Sequence, residues 1–218
     1  MLKKNIFILI DGSGSMSNRE NDYNRADAVN RAMEGICLDV APEVCKDAQV
    51  EVYITVLVFK GNTVDFVIPK MKMEDFTDWL PIDNDNFYGG TPTGKAIKAV
   101  VDEIENGCNG DRDPEEIPPA ILLISDGEAN VDLKDPDAIT YEDALKYALE
   151  NCEAYRHANR IAIGIQVNDG GREALKKFGR LSRSMREKGF LPYYDCTDNT
   201  ASALIEVIKS ATIGLSVN

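Results

Sequence analysis

Apolar residues in this chain fall into two recurring patterns: short unbroken runs, and longer stretches with an apolar position every three or four residues. Asn5 to Ile10 is β-branched and aromatic without alternation, as in a strand covered on both faces. A Gly- and Ser-rich turn follows. Next comes a predicted helix with Ala26, Val29, Met33, Ile36 and Val40 along one face, which Pro42 is expected to stop. Val50 to Phe59 reads as a second strand, Gly61-Asn62 as a turn, and Val64 to Ile68 as a returning strand, so a hairpin is predicted. A short helix is expected around Glu74 to Leu80, ended by Pro81. The loop DNDNFYGGTPT leads into a helix with Ile97, Val100, Val101 and Ile104 on one face.

Beyond a polar, proline-bearing loop from Gly107 to Pro119, Ala120 to Ser125 (AILLIS) predicts another fully buried strand. Asp135-Pro136 reads as the N-cap and first turn of a helix carrying Tyr141, Leu145, Ala148, Cys152 and Tyr155. Ile161 to Val167 is a predicted strand, Arg172 to Phe178 a helix and Leu191 to Tyr194 a final strand. Asp198 or Asn199 is expected to cap a last helix with Leu204, Val207, Ile208 and Ala211. Strands alternate with helices almost throughout, which predicts an α/β fold with a mostly parallel sheet and one antiparallel hairpin edge. No repeat, low-complexity tract or linker breaks residues 1–218, so a single domain is expected. At that length a chain buries about 70% of its unfolded surface and needs no covalent staples.

Charge narrows the partner classes. Lys plus Arg number 24 and Asp plus Glu 37, a net charge of −13. Such a surface repels phosphate backbones and anionic lipid, so neither nucleic acid nor membrane is an expected partner. It favours divalent cations without locating a site. Five widely spaced cysteines (Cys37, Cys45, Cys108, Cys152, Cys196) contain no CxxC pair and suit reduced thiols better than a disulfide framework. The single histidine, His157, excludes a two-histidine HExxH zinc site. Two lysines ahead of Ile6 to Ile10 imitate a secretory signal, but the apolar run is too short and no small-residue cleavage site follows. A cytoplasmic location is therefore expected.

Three polar segments lie at predicted element ends, where open α/β sheets bind ligands. Asp11-Gly12-Ser13-Gly14-Ser15 follows the first strand, Gly89-Gly90-Thr91-Pro92-Thr93 precedes a helix, and Ser125-Asp126-Gly127-Glu128 follows AILLIS. Their ligands are all oxygens. Mg²⁺ takes about six oxygens in an octahedron and keeps some of its waters. Asp-x-Ser-x-Ser in a tight, exposed loop can aim alternate side chains at one point, the glycines permitting the backbone geometry. Asp11, Ser13 and Ser15 are the first candidates, with Thr91 as a further hydroxyl and Asp126 as a second carboxylate. Singly each segment reads as a cap or turn; in this order, each at the right element end, they read as a metal site. Thr93 reads as a helix cap.

DGSGSM, GGTPTGKAI and ILLISDGEAN resemble the three metal-site segments of von Willebrand factor type A domains. The resemblance runs from the first strand to the last helix. It implies a Rossmann-like three-layer α/β/α sandwich and a metal-ion-dependent adhesion site formed by Asp11, Ser13, Ser15, Thr91 and Asp126. In that family the Ser and Thr hydroxyls bind the ion directly and the aspartates directly or through water. One coordination position is left for an Asp or Glu of a partner protein. Mg²⁺ is the expected ion, with Mn²⁺ or Ca²⁺ as alternatives. The chain looks most like short, stand-alone intracellular bacterial members, including those associated with tellurite resistance. A binding module, not an enzyme, is the expectation.

Competing readings are weaker. Asp83 and Asp85 lack the later ligands of an EF-hand, since Phe87 and Gly94 stand at those positions. That loop is expected to rim the metal site, with Phe87 and Tyr88 packing on the sheet. Trp79 reads as a core anchor and His157 as a capping or surface residue. A Mg²⁺-dependent phosphoryl-transfer enzyme of the haloacid-dehalogenase type would need Asp where Ser13 stands. A non-catalytic subunit of an ATP-driven, chelatase-like complex is the other alternative. The glycine loop lacks the Walker A lysine, which leaves nucleotide binding with little support.

Overall fold

The computed structural model describes residues 1–20, 23–46, 49–83, 86–106, 115–127, 129–130, 134–197 and 200–216. β1 (Leu2–Asp11) leads through a short antiparallel pair, β2 (Arg19–Glu20) and β3 (Tyr23–Asn24), into α1 (Arg25–Gly35) and α2 (Ala41–Val44). The hairpin of β4 (Val50–Lys60) and β5 (Thr63–Lys72) precedes α3 (Thr93–Asn106) and β6 (Ala120–Ser125). α4 (Tyr141–Asn151), α5 (Glu153–His157), β7 (Asn159–Gly164), α6 (Asp169–Phe178), α7 (Arg183–Glu187), β8 (Tyr193–Asp195) and α8 (Ala201–Ser216) complete the order.

One six-stranded sheet runs β5-β4-β1-β6-β7-β8, parallel except for the β4–β5 hairpin. Alternate residues of the central strand feed two cores. Ile6, Ile8 and Ile10 pack with Val29, Met33, Leu204 and Ile208 of α1 and α8. Phe7 and Leu9 face Ile97, Val101, Leu145 and Ala148 of α3 and α4. Burying each such side chain stabilises the fold by about 1.5–3 kcal/mol, which is why a run without alternation marks this strand. The result is the expected α/β/α sandwich with one antiparallel edge. Among the described residues no helix is long and apolar enough to cross a membrane.

Three local expectations need correction, and one helix was not expected. Pro42 does not stop the first helical stretch. Ile36–Val40 widens into a π-helical turn, Ala41 N–H bonds to the Ile36 carbonyl, and Pro42 sits in the first turn of α2, where its missing N–H leaves nothing unsatisfied. The segment 74–80 makes only a 3₁₀ turn, Met73–Asp75. Beyond that turn, Phe76 and Trp79 are buried edge to face, 6.4 Å between centroids, and Trp79 Nε1 donates to Asn30 Oδ1 at 3.1 Å. Asp135 sits in a turn, paired with Lys95, while Thr140 caps α4 by accepting from Asp143 N–H at 3.1 Å. Helix α7, capped by Ser182, is absent from the pattern reading. Residues 107–114 and the expected caps Asp198 and Asn199 lie outside the described residues; Thr200 Oγ1 accepts from Ala203 N–H at 3.3 Å.

Candidate metal centre

β1 leaves the sheet centre toward β4 on one side and has β6 on the other, so the carboxyl ends of β1 and β6 flank a topological switch point. The parallel register pairs Ile10 with Ile124. Asp11 and Ser125 therefore end the two strands side by side, and Asp126 is the first residue beyond.

Asp11 is fully buried. Its Oδ1 accepts Ser13 N–H at 2.8 Å and its Oδ2 accepts the Ser125 hydroxyl at 2.6 Å. The Ser13 and Ser15 hydroxyls lie 3.0 Å apart, and Ser15 Oγ donates to Asp126 Oδ1 at 2.9 Å. Four of the five predicted residues thus form one connected cluster. Its base is buried at Asp11, Ser13 and Asp126, and it opens to solvent at Ser15. The loop, expected to be exposed, is exposed only in part, because Gly12 and Ser13 sink onto the sheet end: Gly12 N–H donates to the Phe59 carbonyl at 2.8 Å.

Thr91 reaches the same sheet end through its backbone. Tyr88 N–H donates to Gly12 O at 3.0 Å and Gly14 N–H to Gly89 O at 3.2 Å, which clamps the second segment against the first. Gly89 has φ +70°, and a Cβ there would stand 2.7 Å from Gly61 Cα, so only glycine fits. Thr91 is buried; its N–H donates to Asn130 Oδ1 at 2.8 Å, and Asn130 N–H returns to Thr91 O at 3.0 Å. Asn130 so ties the second segment to the third. Thr93 is the first residue of α3 and not a cap outside it. Glu128 lies outside the described residues.

Sequence reasoning missed Arg25, Gln166 and Asn130, and it named Ser125 in the third segment without giving it a role. Arg25 opens α1, is buried, and ion-pairs through Nη1 with Asp126 Oδ2. Nη1 also donates to Ser15 O at 3.1 Å, and Nε donates to Gln166 Oε1 at 2.6 Å. A usable signal was present: Arg25 falls one turn before Val29, a charge in register with the apolar face.

Burial first, then the neighbouring charge of Asp126, pushes the Asp11 carboxyl up to about 6, against the hydrogen bonds from Ser125 and Ser13. Burial also raises Asp126, opposed by Arg25 and Ser15. Two carboxylates are thus crowded together with little water to solvate them. Among the described residues no group of three or more His, Cys, Asp or Glu converges. The donors here are two carboxylates plus hydroxyls, all hard oxygens, and this set fits a hard divalent cation that keeps part of its water shell.

The surroundings agree with the local readings except at Tyr88, which was expected to pack on the sheet and is exposed instead. Phe87 is buried, and Tyr88 is half exposed against Gly61, with Lys60 Nζ 5.1 Å from its ring centroid. The loop carrying them does rim the cluster. Asp83 is exposed, and Asp85 lies outside the described residues. Cys37, Cys45, Cys152 and Cys196 form no disulfide among the described residues, Cys108 lying outside them; His157 is exposed at the end of α5.

Residues 5–193 match the von Willebrand factor type A domain family. The chain belongs to that family. A search of curated protein sequences finds no match. Solved structures share the fold. The pilus adhesin SpaC from Lactobacillus rhamnosus GG aligns over 99% of this chain and 31% of its own, at 14% identity and TM-score 0.63. The vWF domain of the type V pili tip protein Mfa5 from Porphyromonas gingivalis covers 98% and 96%, at 12% identity and TM-score 0.62. Proximal thread matrix protein 1 from the mussel byssus, in a form with a zinc-occupied MIDAS motif, covers 97% and 48%, at 19% identity and TM-score 0.58. The chain thus spans less than half the length of the SpaC and byssus proteins.

Proposed function

We propose that this chain is a metal-dependent protein-binding module that takes Mg²⁺ and docks an acidic side chain of a partner protein. The supporting observation is the hydrogen-bonded cluster of Asp11, Ser13, Ser15 and Asp126 at the switch point of the sheet. Those four residues and Thr91 would hold the ion, with Mn²⁺ or Ca²⁺ as alternatives. Bound there, the ion supplies a Lewis-acidic point that neutral hydroxyls leave under-neutralised, so an Asp or Glu from outside completes its charge. That resolves the tension between a chain of net charge −13 and an acidic ligand: the ion reverses the sign locally.

The zinc-occupied motif of the byssus protein and the adhesive pilus proteins among the structural neighbours support this reading. We place the chain in the cytoplasm, in the manner of the stand-alone bacterial members linked to tellurite resistance, and assign it binding without catalysis. The test is affinity capture on the immobilised chain in Mg²⁺ and in EDTA, beside the Asp11→Ala chain. Partners retained in Mg²⁺ and released by both EDTA and the substitution support it. Capture that ignores both contradicts it. Phosphatase turnover that vanishes in Asp11→Ala would put a phosphoryl-transfer enzyme in its place.

A further inference from the structure

Arg25 is a buried cation seated on the carboxylate that the metal-site reading assigns to the ion. It is 5% exposed, and its guanidinium is held by Asp126, by the Ser15 carbonyl and by Gln166. Gln166 keeps that position in a backbone conformation that side-chain-bearing residues seldom adopt, with φ +53°. Among the described residues its buried Nε2 has no hydrogen-bond partner. A strained residue that satisfies Arg25 and leaves its own amide nitrogen unsatisfied is aimed at the guanidinium.

We propose that Arg25 is a resident counter-cation, which competes with the metal for Asp126 and so limits how tightly the site holds it. This rests on the metal-site reading above. Among the described residues, Asp11 and Asp126 bring two negative charges to the cluster and Arg25 returns one positive charge. A dication therefore meets one net negative charge instead of two, in a buried setting where solvent screens poorly. The loaded site then keeps a net positive charge, which an incoming carboxylate neutralises. Arg25 thus exchanges metal affinity for attraction of an acidic partner.

The test uses the full chain and Mn²⁺ alone as probe, titrated by calorimetry at pH 8. Arg25→Met, which keeps the bulk and removes the charge, is expected to bind Mn²⁺ about tenfold tighter or more. Arg25→Lys, which keeps the charge, gains nothing. Gln166→Gly relaxes the backbone and releases the guanidinium, so it moves in the direction of Arg25→Met by a smaller factor. Thermal unfolding in EDTA establishes that each variant is folded, and Gln166→Gly decides if Arg25→Met is not. Equal or weaker Mn²⁺ binding in the charge-removed and released variants overturns the inference and leaves Arg25 as a positioning residue for Asp126. A wild-type chain that takes up no Mn²⁺ overturns the metal-site reading and the inference with it.

Discussion

Ser125 donates its hydroxyl to Asp11 Oδ2 at 2.6 Å, across the parallel pair made by β6 and β1. The bond satisfies half of a carboxylate that is fully buried. Hydrogen bonds to charged groups contribute about 1.5–3 kcal/mol, so Ser125→Ala should lose stability in that range at pH 8 without metal. Urea unfolding in EDTA measures it, and an unchanged midpoint would remove Ser125 from the site.

The same carboxyl gives the metal-free chain a pH signature. Asp11 sits at about 6 when folded, against 3.8 for an exposed aspartate. Between those values the folded state binds more protons than the unfolded state. The contribution of Asp11 is therefore full below about pH 4 and is lost as pH rises through about 6. The loss is on the order of 3 kcal/mol. Asp11→Asn removes it, so the stability difference between Asn variant and wild type should grow in favour of the variant across that window in EDTA. A difference independent of pH would contradict the buried, raised carboxyl. Mn²⁺ uptake has to displace the same proton, so apparent affinity should weaken with acidification below about pH 6.

Gly89 and Gly127 make a contrasting pair beside the cluster. Alanine at Gly89 meets a left-handed φ of +70° and the Gly61 Cα at 2.7 Å. The conformation alone costs about 1–2 kcal/mol, and the clash shifts the segment that carries Thr91. Gly89→Ala should lower the melting temperature and weaken Mn²⁺ binding together. Gly127 follows Asp126, yet a Cβ there meets nothing within 4 Å among the described residues, so Gly127→Ala should leave both nearly unchanged. Equal effects of the two substitutions would contradict the close approach of Gly89 to Gly61.

The thiols should differ in reactivity. Burial and the charge of Asp78 push Cys37 up to about 12, whereas Cys45 is exposed, its thiol raised by burial and by Glu74 and Asp75. Mass-mapped alkylation at pH 8 should modify Cys45 well before Cys37. Modification in the reverse order would mean that the π-helical turn carrying Cys37 opens readily.

Most of the sandwich was legible because its strands are apolar without alternation and its long helices repeat at three and four. The AILLIS run becomes the fully buried β6, and Ile97, Val100 and Val101 become the inner face of α3. What was not legible depends on contacts between distant segments. Trp79 is fixed by Asn30, not by a helix of its own, and Pro42 is accommodated by a π turn that no periodicity signals. Asp11, Ser13, Ser15 and Asp126 came together as expected because motif and strand end coincide. Arg25 and Gln166 lie 141 positions apart, and no local pattern announces that they meet.

Direct titration of Mn²⁺ into the wild-type chain and Asp11→Ala, followed by the loss of the free-ion resonance, is the decisive measurement. Wild type should take up a single ion and release it to EDTA, while Asp11→Ala stays folded and takes up none. Equal uptake by the two chains, or none by either, would contradict a metal centre at the junction of β1 and β6.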